Sequence, residues 1–195
     1  EILVEEVLKE LHDGMRVLDM CTGSGCILLS LLHYSNDCEG LGVDLSAEAL
    51  EVAGRNVLKV LTPEKAEHAH FLQSDLFEKV EGKFEIIVSN PPYIASAEVE
   101  KLMPEVRDHE PRMALDGTED GLYFYRRIIE EAGKHLVSSG MLFFEIGYDQ
   151  GQAVSELMRT EGYCDVQVVQ DYAGLDRVVF GTYVTVQPAP FAKSR

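Results

Sequence analysis

The stretch VLDMCTGSGC, residues 17–26, joins an apolar strand-like run to a glycine-rich turn and the start of a helix. Gly23 and Gly25 let the backbone turn sharply and approach a ligand without interference from a Cβ atom. In an open α/β sheet, ligands bind beyond the carboxyl ends of the strands, where this turn lies. The stretch therefore predicts a binding loop, with candidate contacts at Asp19, Thr22, Gly23, Ser24 and Gly25.

The rest of the chain alternates short apolar runs with amphipathic segments, which is typical of a parallel sheet covered by helices on both faces. We expect strands at 15–20, 40–44, 69–73, 84–89, 141–146, 165–169 and 177–183, and helices at 26–33, 47–61, 122–136 and 150–159. The last two strands follow each other without a helix, which predicts an antiparallel edge. The expected fold is therefore a Rossmann-like, seven-stranded α/β domain over residues 1–184, with a loose tail at 185–195.

Composition narrows the classes of protein. The formal net charge of −17 argues against extended contact with phosphate backbones. No apolar stretch approaches the roughly 20 residues that span a bilayer, and no signal peptide is visible. The four cysteines form no Cys-x-x-Cys pair and no histidines stand at zinc spacing, so we expect no metal and a reducing cytoplasm. Because the sequence begins inside an apolar pattern, we also expect a fragment of a longer protein.

A second ligand feature ends the next predicted strand, where residues 42–46 read Gly-Val-Asp-Leu-Ser. A carboxylate at this place can accept hydrogen bonds from both hydroxyls of a ribose. Asp44 could instead cap the following helix, but Ser46 can fill that role. We therefore expect Asp44 and Leu45 to contact a nucleoside. Leu28 stands where the dinucleotide fingerprint has its third glycine, which argues against NAD.

A third ligand feature follows the third predicted strand, where residues 73–77 read Gln-Ser-Asp-Leu-Phe. Asp75 can accept a hydrogen bond from an adenine amino group, and Leu76 or Phe77 can cover the ring. None of the three strand ends offers a phosphate cradle with a lysine. The sequence therefore predicts a nucleoside ligand that carries no phosphates.

The motif Asn90-Pro91-Pro92-Tyr93 follows the fourth predicted strand. Asn-Pro also starts ordinary turns, but here two prolines fix two φ angles and hold Asn90 extended. The side-chain oxygen of Asn90 and the carbonyl of Pro91 can then accept the two hydrogens of one –NH2 group, while Tyr93 offers a flat face. We expect these four residues to form a catalytic site for methyl transfer to a planar amino group, by proximity and electrostatic stabilisation without a strong base.

Residues 94–121 interrupt the regular alternation of strands and helices. This stretch contains Pro104, Pro111 and Gly117 and has weak periodicity. Loops this long are uncommon in compact domains and often serve as lids or binding elements. An inert surface insertion is the alternative, but the position directly after the double proline favours a functional role.

Together these motifs resemble the class I S-adenosylmethionine-dependent methyltransferases, and among them the release factor glutamine methyltransferases (the HemK or PrmC family). The resemblance covers residues 1–184. It rests on residues 2–4, 19–25, Asp44, 74–77, 88–94, 105–107, 110–115, 119–122, Tyr125, Arg126 and 144–147. Adenine-amino methyltransferases of DNA and RNA share Asn-Pro-Pro-Tyr, whereas the Glu110-Pro111-Arg112 loop and Gly147 favour the glutamine family.

The resemblance implies S-adenosylmethionine as cofactor, S-adenosylhomocysteine as its product, and a cofactor site that includes Gly23, Asp44 and Asp75. It implies the Gly-Gly-Gln glutamine of a peptide chain release factor as substrate, with Asn90 and Pro91 as amide acceptors and Tyr93 as a stacking wall. The resemblance also implies an N-terminal helical domain, which we expect to be missing from this fragment.

Several points stay open at this stage. Arg107 and Arg112 suit docking of an acidic partner, closure of the loop, or an ordinary charged surface. We expect a cytoplasmic monomer without a stable nucleic-acid or membrane partner. An adenine-amino methyltransferase acting on nucleic acid, or a nucleoside- or NAD-binding module, remains the alternative.

Overall fold

The computed structural model describes residues 1–101 and 112–184, apart from the side chains of residues 112 and 113. Its strands are β1 (Arg16–Met20), β2 (Glu39–Asp44), β3 (Ala69–Gln73), β4 (Phe84–Ser89), β5 (Leu136–Glu145), β6 (Tyr163–Gln170) and β7 (Asp176–Tyr183). They form one sheet in the order β3-β2-β1-β4-β5-β7-β6. Only β7 is antiparallel to its neighbours, β5 and β6. The predicted seven-stranded, mostly parallel sheet with an antiparallel edge is confirmed.

Helices cover both faces of the sheet. The longer helices span Ile2–Glu10, Cys26–Tyr34, Ala47–Val60, Tyr123–Ala132 and Gly151–Thr160. Single turns span Pro63–Ala66, Leu76–Lys79, Ser96–Val99 and Arg112–Leu115. Two separate apolar clusters lie under these helices. Neighbouring residues of β5 divide between them, with Phe144 in one cluster and Phe143 in the other, because side chains alternate across a strand.

The central strands β1 and β4 are buried over most of their length, as expected for parallel strands covered on both faces. Val17, Leu18 and Met20 of β1 are completely buried, and Ile86, Ile87 and Val88 of β4 are at most 2% exposed. Since both strands are anchored this firmly, the loops that follow them start from fixed points. This anchoring positions the carboxyl edge of the sheet, where the predicted ligand residues lie.

One predicted boundary is wrong. The expected helix 122–136 ends at Ala132, and Leu136 already belongs to β5, five residues before the predicted strand start at Met141. Leu136 pairs with Phe84 of β4, and the register then shifts before Ile86 pairs with Met141. Ser139 has a φ of 65° in this irregular stretch, so the turn signal at Gly140 marks a bulge inside the strand.

Some predictions lie outside the described residues. These are the stretches 105–107 and 110–111, the Arg112 side chain and the tail 185–195. In the part of the chain that the structure describes, no helix has both the length and the apolar character needed to cross a bilayer.

Candidate active site

A cleft lies at the carboxyl ends of β1 to β4. Its volume is about 900 Å³, including the space at its opening to solvent. It brings together seven of the sequence-predicted residues: Gly23, Asp44, Leu45, Asp75, Leu76, Asn90 and Pro92. The other predicted residues, which are Asp19, Thr22, Ser24, Gly25, Pro91 and Tyr93, do not line it. Most of the wall is apolar, so the few polar groups that face the cleft must determine how a ligand is oriented.

Asp44 and the glycine turn form one unit. The Gly23 amide donates to Asp44 Oδ2 at 2.8 Å, and the Ser46 amide donates to Asp44 Oδ1 at 2.9 Å. The Ser46 hydroxyl caps the following helix by accepting from the Ala49 amide at 3.2 Å, which confirms its predicted role. Each Asp44 oxygen keeps a lone pair for a ligand hydroxyl. The carboxylate is therefore fixed and can still accept from a ribose.

The position of Gly23 leaves space for a ligand. Gly23 has a φ of +56°, and a Cβ built on it would meet nothing within 4 Å. Gly25 has a φ of +78°, but its Cβ would lie 3.1 Å from Ala53 of the next helix. The first glycine therefore opens the loop towards the cleft, whereas the second lets the following helix pack closely.

Asp19 supports the loop from below. It is completely buried, and its Oδ2 accepts from the Thr22 hydroxyl at 2.6 Å and from the Leu28 amide at 3.2 Å. Burial raises the pKa of Asp19 to about 7, against the lowering effect of these two hydrogen bonds. Among the described residues, no group pairs with its Oδ1 atom. Asp19 and Thr22 thus hold the shape of the turn and do not face the cleft.

Two residues of the cleft wall have strained backbones. Cys21 has a φ of 62° and Leu76 has a φ of 46°, values that non-glycine residues rarely adopt. Both follow the end of a strand and line the cleft. Strained positions of this kind persist where the surrounding structure fixes them, and they concentrate at functional sites.

The Asn-Pro-Pro-Tyr segment begins at a firmly held strand end. The buried Ser89 hydroxyl donates to the Met20 carbonyl at 2.6 Å and joins the ends of β4 and β1. Asn90 is half-buried at the cleft, and Pro91 is buried behind it. Within residues 1–101 and 112–184, no group donates a hydrogen bond to the Asn90 side chain or to the Pro91 carbonyl. Neither predicted acceptor is thus occupied by another described residue, and of the two, Asn90 lines the cleft.

Gln150, which follows β5 and precedes the helix Gly151–Thr160, also holds this segment in place. Its Nε2 donates to the Tyr93 carbonyl at 3.0 Å and to the Gly121 carbonyl at 3.3 Å. Its Oε1 accepts from the Gly147 amide at 3.0 Å and lies 3.4 Å from the Tyr125 hydroxyl. The sequence analysis missed Gln150, because a polar residue before a helix normally indicates only a helix start.

The described end of the 94–121 stretch packs directly on the same segment. The Ile94 amide donates to the Leu115 carbonyl at 3.1 Å, and the Gly117 amide donates to the Ile94 carbonyl at 2.8 Å. Gly121 has a φ of +71°, and a Cβ on it would lie 2.3 Å from the Tyr93 carbonyl oxygen. Residues 115–121 therefore pack directly on the backbone of Tyr93 and Ile94.

Tyr93 is half-buried and packs against the apolar cluster that contains Tyr125. Burial raises the pKa of Tyr93, and the charge of Glu145 raises it further, while Arg177 opposes the shift. The Tyr125 hydroxyl donates to the Glu145 carbonyl at 2.9 Å. The Tyr93 phenol is therefore protonated at neutral pH and cannot act as a base there.

The helix Tyr123–Ala132 contributes residues that no sequence signal identified. Phe124 lines the cleft, and Arg127 Nη1 donates to Asp75 Oδ1 at 2.9 Å. Their roles depend on a contact between distant parts of the chain, which a single sequence does not encode locally. Among the described residues, no three histidine, cysteine, aspartate or glutamate side chains gather as metal ligands would.

Comparison with known proteins relates this chain to methyltransferases. Residues 1–106 match the methyltransferase small domain family. The release factor glutamine methyltransferase of Thermodesulfovibrio yellowstonii is 44% identical over 184 residues, which are 92% of this chain and 64% of that protein. The enzyme of the same name from Agrobacterium fabrum is 43% identical and covers 92% and 63%. The chain thus spans somewhat less than two thirds of these relatives.

Solved structures with the same fold include two methyltransferases. The release-factor-specific protein-(glutamine-N5) methyltransferase of Alicyclobacillus acidocaldarius aligns at a TM-score of 0.54 with 28% identity, covering 94% of this chain and 90% of that one. A methyltransferase from Pyrococcus furiosus aligns at 0.66 with 18% identity, covering 92% and 81%. At that low identity, the second likeness shows the fold alone.

Proposed function

Since the chain belongs to the methyltransferase small domain family, we propose that it transfers a methyl group from S-adenosylmethionine to a glutamine side-chain amide in a peptide chain release factor. The observation that carries the proposal is the pair of acceptors on Asn90 and Pro91, which no described residue occupies, beside a nucleoside-sized cleft. The names of the relatives, which state this reaction for them, support it.

The residues that face the cleft fit S-adenosylmethionine. Asp44 can accept from the ribose hydroxyls, Asp75 can accept from the adenine amino group, and Gly23 lets the backbone approach the ligand. No lysine lines the described part of the cleft, in agreement with a nucleoside that carries no phosphates. When bound, the cofactor supplies an electrophilic methyl group on a positively charged sulfur.

Asn90 and Pro91 activate the amide in this proposal. An amide nitrogen is a poor nucleophile because its lone pair is delocalised into the carbonyl. The Asn90 side-chain oxygen and the Pro91 carbonyl accept its two hydrogens, and they draw off positive charge as it develops on the nitrogen. They also turn the nitrogen lone pair towards the methyl group, so that orientation contributes to the rate.

Tyr93 limits where the amide can lie. Its ring supplies a flat wall, and its backbone is fixed by Gln150. Because the pKa of Tyr93 is raised, the phenol does not remove the proton. The nitrogen becomes acidic only as the methyl group arrives, so the proton leaves late and no strong base is needed.

The proposal extends to the whole protein. We assign the methyltransferase domain to residues 1–184 and treat 185–195 as a tail. Further segments of the whole protein, such as an N-terminal helical domain, would hold the release factor. The substrate places the reaction in the cytoplasm, and the four free cysteines suit that compartment. We further propose that the protein acts as a monomer and forms no stable complex with nucleic acid or a membrane.

The test incubates the full-length protein with a release factor and S-adenosylmethionine, followed by mass spectrometry of the Gly-Gly-Gln peptide. We expect a gain of one methyl group on the glutamine. Asn90→Ala should lower the rate by more than about 100-fold, because an electrostatic acceptor is lost. Its affinity for S-adenosylhomocysteine should stay within about threefold, because Asp44 and Asp75 are unchanged.

An adenine-containing oligonucleotide is assayed in parallel. Methylation of the oligonucleotide and not of the peptide would contradict the proposed substrate. It would not contradict the proposed cofactor site. Equal loss of transfer and of cofactor affinity in Asn90→Ala would contradict the role of Asn90 as an acceptor of the amide.

A further inference from the structure

Asp75, at the nucleoside end of the cleft, is held by an arginine from a distant helix. Its Oδ1 accepts from Arg127 Nη1 at 2.9 Å, and the Asp75 and Arg127 side chains are 47% and 32% exposed. Within the described residues, no donor reaches the second oxygen, Oδ2. One oxygen of the carboxylate is therefore occupied, and the other is left for a ligand.

The main chain beneath Asp75 cannot adjust easily. Leu76 adopts a strained φ of 46°, and Leu76 and Phe77 are only 5% and 4% exposed. The Phe77 ring stacks on His135 with ring centroids 4.8 Å apart. Because the backbone is fixed, the direction of the Asp75 carboxylate depends on its side-chain torsions, and Arg127 sets these.

Arg127 is itself restrained. It lies on the helix Tyr123–Ala132, next to the buried Ile128 and Ile129, and its guanidinium carbon is 5.8 Å from the centre of the Tyr123 ring. The same helix places Phe124 in the cleft wall. A guanidinium presents its donors in a rigid plane, so it orients a carboxylate more strictly than a lysine does.

We infer that Arg127 is a positioning residue through which the cleft selects a 6-aminopurine nucleoside over a 6-oxopurine nucleoside. The inference rests on the proposed cofactor site. A carboxylate only accepts hydrogen bonds, so Asp75 Oδ2 pairs with a 6-amino group and repels the lone pairs of a 6-oxo group. This discrimination is strong only while the carboxylate points at the base edge. Arg127 maintains that direction without touching the ligand.

Two ligands test the inference by isothermal titration calorimetry of the full-length protein. One is S-adenosylhomocysteine, and the other is S-inosylhomocysteine, in which an oxygen replaces the adenine amino group. We expect the unmodified protein to prefer the amino ligand by at least about 30-fold, the size of a hydrogen bond to a charged group. Arg127→Met should weaken the amino ligand by about tenfold and change the oxo ligand by less than about twofold.

Arg126→Met is the matched control. Arg126 neighbours Arg127 on the same helix but pairs with Asp120 on the surface, so both affinities should stay within about twofold. Arg127→Lys should recover part of the preference, since a lysine restores the charge but not the planar geometry. Asp75→Asn should favour the oxo ligand, because its amide can donate to the 6-oxo group.

The outcomes separate the possible failures. Equal weakening of both ligands by Arg127→Met would overturn the inference, because Arg127 would then only support the fold. Unchanged binding of both ligands by this variant would overturn it as well. An unmodified protein that binds neither ligand would refute the proposed cofactor site itself.

Discussion

The two halves of the cleft are held in place by different kinds of contact. In the nucleoside half, at the ends of β1 to β3, Asp44 binds the amides of Gly23 and Ser46, which lie on the loops that end β1 and β2. In the acceptor half, which is the segment 89–94, the Tyr93 carbonyl depends on Gln150, 57 residues away. The ribose contact of the nucleoside half is thus fixed by neighbouring loops, whereas the acceptor half, like Asp75 at the other end of the nucleoside half, depends on distant parts of the chain.

Among changes to residues that only support the cleft, Gly121→Ala should have the largest effect, and it should disturb the acceptor half alone. The added Cβ would lie 2.3 Å from the Tyr93 carbonyl oxygen and must displace that backbone. We expect methyl transfer to fall by about 100-fold, as a displacement of about 1 Å can cost in catalysis. Affinity for S-adenosylhomocysteine, measured by calorimetry, should change by less than about threefold.

Gly174→Ala is the matched control for this change. Gly174 also has a positive φ, +79°, but a Cβ there would meet nothing within 4 Å. It should lose some stability from backbone strain and keep its transfer rate. A similar rate loss in both variants would show that strain, and not the contact with Tyr93, explains the effect.

Asp44→Ala is the corresponding change in the nucleoside half. The change removes a ribose acceptor and also the partner of the Gly23 and Ser46 amides. We expect about 30-fold weaker binding of S-adenosylhomocysteine, from the loss of hydrogen bonds to a charged group. Glu51→Ala, on the exposed side of the next helix, should bind normally. Unaltered affinity in Asp44→Ala would refute the assignment of Asp44 to the ribose.

Gln150→Ala sharpens the comparison without introducing a clash. Two backbone carbonyls lose their donor, and the Gly147 amide loses its acceptor. We expect kcat to fall by about 20-fold with little change in cofactor affinity, because the Asn-Pro-Pro-Tyr backbone is no longer held. Gln152→Ala, two residues along the same helix and bonded only to Glu156 among the described residues, should behave like the unmodified protein. A normal kcat in Gln150→Ala would show that the segment holds its own shape.

The smallest expected effect is a pH dependence of stability that arises from Asp19, beneath the glycine turn of the nucleoside half. Burial raises the pKa of Asp19 from its ordinary value near 3.8 to about 7, so at pH 5 the folded state holds a proton that the unfolded state has lost. The resulting stability is fully present below about pH 4 and is lost as the pH rises through 7. Relative to Asp19→Asn, the unmodified protein should lose about 1 kcal/mol of unfolding free energy as the pH rises from 5 to 6. Urea titrations at both pH values measure this difference, and parallel pH dependences would contradict it.

The same division explains what the sequence could predict. Gly23, Asp44 and Asp75 each follow a strand in a short local pattern, and parallel strands bring such ends to one edge, so their grouping was predictable. Gln150 and Arg127 act through side chains that cross between distant elements, and no local spacing marks them. Asp19 occupies a motif position that suggests a ligand contact but lies under the loop, because β1 is covered on both faces and its last four residues are all buried.

The boundary between the helix Tyr123–Ala132 and β5 was predicted wrongly for a related reason. The apolar period of a helix and a buried strand can share residues, and Leu136 satisfies both descriptions. Leu136 is part of the strand because it pairs with Phe84 of β4, and this pairing is visible only in the assembled sheet.

Cys21 in the wall of the cleft has a consequence for covalent ligand design. A thiol beside a nucleoside site is usually an attractive target for an electrophilic inhibitor. Here burial, followed by the charge of Asp44, raises the pKa of Cys21 to about 12. Very little of the thiol is then ionised at neutral pH, and only the thiolate is nucleophilic. A warhead on a nucleoside scaffold would react with the exposed Cys26 or Cys164 before it reacted with the cysteine it was built to reach.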